Sequence, residues 1–123
     1  MRSKTFALLL LTLLVPAICS AQTVKPGKWT GFAVPPDADQ EVPLTFDVTV
    51  NGDSLGIAIH AGEHGDFAAT EGHYADHTIS FNFEPGSPRV HCVLTLSADG
   101  VYTGDCVGED LKSAQMTMVP PTD

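Results

Sequence analysis

Cys92 and Cys106 flank the tripeptide Ala98-Asp99-Gly100 at equal distances along two β-patterned runs, and this pairing constrains the chain more than any other feature. A three-residue loop of this kind is a type I turn with the glycine in the left-handed region that only glycine enters cheaply. Ser97 and Val101 then form the closing hydrogen-bonded pair. Leu96 is set opposite Tyr102, Leu94 opposite Gly104, and Cys92 opposite Cys106. All three fall on non-hydrogen-bonded sites, where Cα atoms lie about 4.5 Å apart. A disulfide accepts roughly 4.4–6.8 Å, so the register permits a Cys92–Cys106 bond near its short limit. Its small loop gives a stabilisation on the order of 3 kcal/mol by chain entropy.

The third cysteine, Cys19, lies in a different kind of segment. Arg2 and Lys4 precede the apolar run 6–15, Pro16 breaks it, and Cys19-Ser20-Ala21 supplies small residues before Gln22. These are the parts of a secretory signal peptide covering residues 1–21. The apolar run is about half the roughly 20 residues that span a bilayer, so a membrane span is not expected. Acylation of Cys19 is the lesser alternative, because Ile18 is bulky for the position before a lipidated cysteine. Cleavage after Ala21 leaves residues 22–123 as a single domain with an even pair of cysteines, the usual economy of an exported, periplasmic or extracellular protein. It also takes the formal charge from −9 to −11 by removing Arg2 and Lys4. Nucleic acid and anionic membrane surfaces are poor partners for such a field. A basic protein or a cation suits it better.

Along the mature part, apolar residues alternate with polar ones at a period of two. Val42, Leu44, Phe46, Val48 and Val50 share one face, as do Leu55, Ile57 and Ile59, and then Ile79, Phe81 and Phe83. Turn signals fall between the runs, at 51–53, 61–66, 74–76, 85–88 and 108–110. With Gly27–Val34 first, a fourth strand over 67–73 and Lys112–Val119 last, eight strands are expected. No segment has helical periodicity. An open sheet this small would leave long edges and an uncovered apolar face. Closure into an all-β, eight-stranded antiparallel up-and-down meander barrel removes both. A two-sheet β-sandwich is the alternative.

The Gly27-Lys28-Trp29 start of the first strand, followed by a meander, resembles the Gly-x-Trp opening of calycin-type barrels, the lipocalin-like and avidin-like proteins. The chain also looks like small exported bacterial proteins with a Trp-Thr-Gly first strand and a late cysteine hairpin. The lipocalin C-terminal helix has no counterpart here, and the strands are short for a roomy calyx.

Three kinds of residue carry chemistry. Trp29, Phe46, Phe81, Phe83, Tyr102, Met116 and Met118 either fill the barrel or line an apolar pocket, since an eight-stranded interior is just wide enough for its own side chains or one small ligand. Five histidines raise a metal site, with zinc the natural ion. His60, His64 and His91 fall at one end with Glu63 and Asp66, whereas His73 and His77 flank a turn at the other. The two ends keep the pairs apart, so no four-histidine site is expected. His73 and His77 are expected to face each other across their turn beside Asp76 as a two-ligand surface site, and His60 and His91 to point outward because their neighbours Ile59 and Cys92 point in. Glu71 is a candidate buried carboxylate if it faces inward with Phe67 and Ala69. There is no Gly-x-Ser-x-Gly and no glycine-rich phosphate loop leading into a helix, so no enzyme activity and no cofactor are expected. Surface zinc binding through the histidines is the third of three functions to weigh, after two others. One is a binding module for a small apolar or amphipathic ligand. The other is an interaction or inhibitor module that meets a basic exported protein with the acidic loops 35–41, 61–66 and 108–111.

Overall fold

A computed structural model describes residues 24–37, 39–85 and 89–122. The expected signal peptide and Cys19 lie outside the described residues. Among the described residues, nine strand segments make one antiparallel sheet: β1 (Gly27–Val34), β2 (Val42–Asn51), β3 (Ser54–His60), β4 (Asp66–Ala68), β5 (Thr70–Ala75), β6 (Thr78–Phe83), β7 (Val90–Leu96), β8 (Tyr102–Gly108) and β9 (Ser113–Val119). The order β2-β1-β9-β8-β7-β6-β5-β3-β4 returns on itself through a β2–β3 ladder. β4 and β5 occupy one position in the wall, so the result is a closed eight-stranded barrel rather than a sandwich. A 3₁₀ turn, Gly62–His64, joins β3 to β4.

The cysteine hairpin folds as its loop length dictates. Ser97 N–H donates to the Val101 carbonyl, Gly100 has φ +88°, and Cys92 faces Cys106 with Leu94 opposite Gly104 and Leu96 opposite Tyr102. The two sulfurs are bonded across a Cα separation of 4.0 Å, and both cysteines are buried inside the barrel. Gly104 matters for a second reason. A Cβ there would fall 1.9 Å from the Val93 carbonyl oxygen, so only glycine lets β8 coil this tightly against β7.

The alternating runs of β2, β3 and β6 point inward as their period requires. Phe46, Phe81, Leu94 and Met118 are fully buried, and every residue of the expected apolar face is either buried or packed against the buried cluster. Val24, Trp29 and Ala61 join them. Burial of large apolar side chains, at about 1.5–3 kcal/mol each, is the main force holding the cylinder closed.

Two departures from the sequence expectation have clear causes. The fourth strand is not continuous. It breaks at Ala69 between β4 and β5, and its register against β6 shifts between Thr70 and His73. The segment Phe67-Ala-Ala-Thr-Glu-Gly has no alternation to hold one register, and Glu71 adopts φ +55° at the irregularity. Glu71 consequently faces out, exposed, and not into the core.

The following turn is shorter than a three-residue Tyr74-Ala75-Asp76 loop. Ala75 pairs with Thr78, leaving Asp76 and His77 as a two-residue connection with φ +53° and +62°. Both positive values are those of a type I′ turn, which matches the twist of the flanking strands but suits Asn-Gly best. Replacing Asp76-His77 by Asn-Gly is therefore expected to stabilise the protein by about 1 kcal/mol. A melting temperature higher by about 4–8 °C in a thermal denaturation series is the check.

Candidate functional site

The meander sorts its connections to the two ends of the barrel. The β2–β3, β5–β6 and β7–β8 turns lie at one end, with the segments entering β1 and leaving β9. The β1–β2, β3–β4, β6–β7 and β8–β9 connections lie at the other. The two ends differ in kind.

The first end is plugged. Trp29, 1 % exposed, packs its ring 5.7 Å from that of Tyr102, which stands 6.5 Å from Tyr74. Trp29 Nε1 donates to the Lys25 carbonyl at 2.9 Å, tying the entering segment across the plug. Val24 is buried beside it. Burial first, and then the Tyr74 hydroxyl, push the Tyr102 phenol up to about 12. This floor stays uncharged through the physiological range.

Among the described residues the second end is open and holds a pocket of about 400 Å³ reached by Ala33, Pro35, Phe83, Val90, Cys106 and Met116. An adjoining lobe of about 270 Å³ extends toward Val42, Leu44, Ile59, Ala61 and Phe67. The two share Ala33, Pro35, Phe83, Pro85 and Met116, so they form one apolar mouth. Below it, Phe46, Phe81 and Met118 fill the cylinder. The barrel is thus filled at its waist, closed at one end by Trp29 and Tyr102 with a smaller hollow of about 220 Å³ beside them against Val24, Leu96 and Pro120, and open to the larger apolar mouth at the other.

Of the seven pocket candidates, Phe83 and Met116 line the mouth. Phe46, Phe81 and Met118 fill the waist, and Trp29 and Tyr102 build the floor. The residues that complete the mouth and were not singled out are small or sit in connections: Ala33, Pro35, Pro85 and Ala61. Ala33 had a signal, since it shares an inward face with Trp29 and Gly31. The prolines had none beyond their place in loops.

One stretch of wall is weaker than the rest. Among the described residues β4 pairs with β3 alone, and no ladder joins its other side to β6. A further hollow of about 360 Å³ opens there, between Asp66, Phe67, Thr70 and Phe83, Glu84, Arg89. The rings of Phe67 and Phe83 approach to 6.0 Å where the backbone hydrogen bonds stop. An aromatic contact thereby closes the wall beside the mouth.

The histidines do not gather. His60 stands on the outer face of β3 between two carboxylates, with Nε2 2.8 Å from Asp47 Oδ2 and Nδ1 3.1 Å from Asp66 Oδ1. His91 on β7 donates from Nδ1 to Asn82 Oδ1 at 2.5 Å, and Asn82 Nδ2 donates to Glu71 Oε1 at 2.9 Å. His64 lies in the 3₁₀ turn and lines the smaller lobe. His73 pairs with Ser80 while His77 sits in the turn itself, so the register does not set them opposite one another. Among the described residues, no group of three or more His, Cys, Asp or Glu is arranged to hold a metal ion.

The flanking carboxylates give His60 a different role. Hydrogen bonds to Asp47 and then Asp66 raise its pKa above the ordinary 6.5. A raised value in the folded state means stability that is fully present below about pH 6.5 and fades as pH climbs through the folded value. The C2 proton of His60 is expected to titrate above pH 6.5 by NMR. In an Asp47→Asn/Asp66→Asn variant it should return toward that value.

The closed antiparallel barrel is consistent with a calycin-like architecture. Compared with protein-family models, curated proteins and solved structures, the chain has no match among them.

Proposed function

We propose that this protein is an exported, non-enzymatic binding barrel that takes one small apolar or amphipathic molecule through its open end. The observation that carries this reading is the contrast between the two ends of one cylinder: an aromatic plug around Trp29 and Tyr102, and an apolar mouth of about 400 Å³ with a contiguous lobe of about 270 Å³. Ligand sites are typically concave, apolar and about 300–1,000 Å³. A barrel serving only as a scaffold has no reason to leave apolar walls wet at one rim while filling its waist completely. The buried disulfide suits an oxidising compartment and supports export.

Affinity here comes mainly from apolar burial. Each methylene taken out of water contributes about 0.8 kcal/mol, or about fourfold in affinity. Displacement of the neutral fluorophore N-phenyl-1-naphthylamine by a series of n-alcohols is the test. One site per chain and a gain of about fourfold per added methylene, levelling off when the mouth is full, are expected. Ala114 lines the larger lobe, so Ala114→Phe should weaken the fluorophore about tenfold or more. Absence of saturable binding by the unmodified protein would overturn the proposal.

A further inference from the structure

The rim of the mouth is far more acidic than its floor, and this names the ligand's head group. The β1–β2 connection carries Asp37, Asp39 and Glu41. Glu63 and Asp66 follow on the β3–β4 side, Glu84 after β6, and Glu109 with Asp110 between β8 and β9. Arg89 and Lys112 are the basic residues of the same end. Both are already engaged: Lys112 Nζ lies 3.5 Å from Asp37 Oδ2, and Arg89 Nε 3.6 Å from Glu84 Oε2. The plugged end has Lys25 and Lys28 beside Asp53, Asp76 and Asp99, so the surplus of negative charge is concentrated around the opening.

Asp37, Asp110 and Lys112 also line the larger lobe, where the apolar wall of Ala33, Phe83 and Met116 gives way to charge. A low-dielectric pocket under a rim whose carboxylates outnumber its two cations focuses a net negative field at its entrance. We infer that the mouth selects amphiphiles with a cationic head, an alkyl amine being the simplest, with the tail against Phe83 and Met116 and the head among the rim carboxylates. The inference rests on the proposed binding of an amphipathic molecule and adds its charge. A fatty acid of the same length would put its carboxylate where like charges already crowd. A free cation would leave the apolar wall uncovered.

Three ligands of one chain length separate the possibilities: decylamine, 1-decanol and decanoate, each titrated calorimetrically at pH 7 in about 20 mM and about 500 mM salt. The amine is then protonated and the acid ionised. Decylamine is expected to bind at least tenfold more tightly than decanoate at low salt, with decanol between them. The gap should narrow at high salt, as screening of an exposed rim requires. In an Asp37→Asn/Asp110→Asn variant the ratio of decylamine to decanol affinity should fall severalfold. Equal affinities for all three ligands, or a preference for decanoate, would overturn the cationic head while leaving the binding barrel standing. Failure of all three to bind would overturn both. Capture of a basic protein such as cytochrome c at low salt, with no amphiphile bound, would do the same in favour of a protein partner.

Discussion

A chain in which Cys92 and Cys106 are both alanine is expected to unfold about 3 kcal/mol more easily than the natural one. The bond spans a sequence separation of 14 residues, and cross-linking a loop of about that length removes about 3 kcal/mol of chain entropy from the unfolded state. Small domains are stable by only about 5–15 kcal/mol in all, so this is a large fraction. The contact itself is not replaceable by packing alone. Cys92 is 0 % exposed and Cys106 3 % exposed, with Phe81 facing Cys92 from β6 and Ala114 facing Cys106 from β9. Removing two sulfurs therefore leaves a small void as well as a freer chain. Urea denaturation should show a lower midpoint, equivalent to a loss of that size, with a slope equal to or somewhat above that of the natural chain because the unfolded state is less compact. The same burial predicts that a mild reductant leaves the bond intact until the barrel opens. A shift below about 1 kcal/mol would mean that the hairpin's own register, not the bond, holds β7 to β8.

Phe81→Ala should cost about 3–5 kcal/mol, the largest effect of any single substitution considered. Phe81 has no exposed surface and its ring lies 6.2 Å from Phe83, one step nearer the mouth. It fills the waist that separates the pocket from the floor. Truncation would lengthen the hollow downward as well as destabilise the fold. Folded Phe81→Ala protein, measured well below its melting temperature, should accept longer alcohols than the natural chain before affinity levels off. Loss of stability without any change in preferred length would place the bottom of the pocket elsewhere.

What was legible in the sequence follows from what local chemistry determines. The loop Ala98-Asp99-Gly100 has one sensible turn type, and that turn sets every pair up to Cys92 and Cys106. Val42 to Val50 and Ile79 to Phe83 alternate strictly, so their inward faces are not in doubt once a core exists. Closure followed from edges that nothing else would cover. The failures are where no local rule decides. Phe67 to His73 lacks alternation, and tertiary pairing to β3 on one side and β6 on the other split it. Asp76-His77 is not the Asn-Gly that announces a two-residue turn. The division of the aromatics among floor, waist and mouth depends on which connections share an end and on how far each strand extends. His60 meets Asp47 and Asp66 only because β2 and β4 flank β3 in one register.

Binding at one end of a half-filled barrel is the central proposal. A backbone-amide NMR titration with 1-decanol tests it most directly. Shifts concentrated on Ala33, Phe83, Cys106 and Met116, with Val24, Leu96 and Gly100 unmoved, are the predicted result. Shifts centred on the Trp29 plug, or spread evenly over the outer wall, would contradict it.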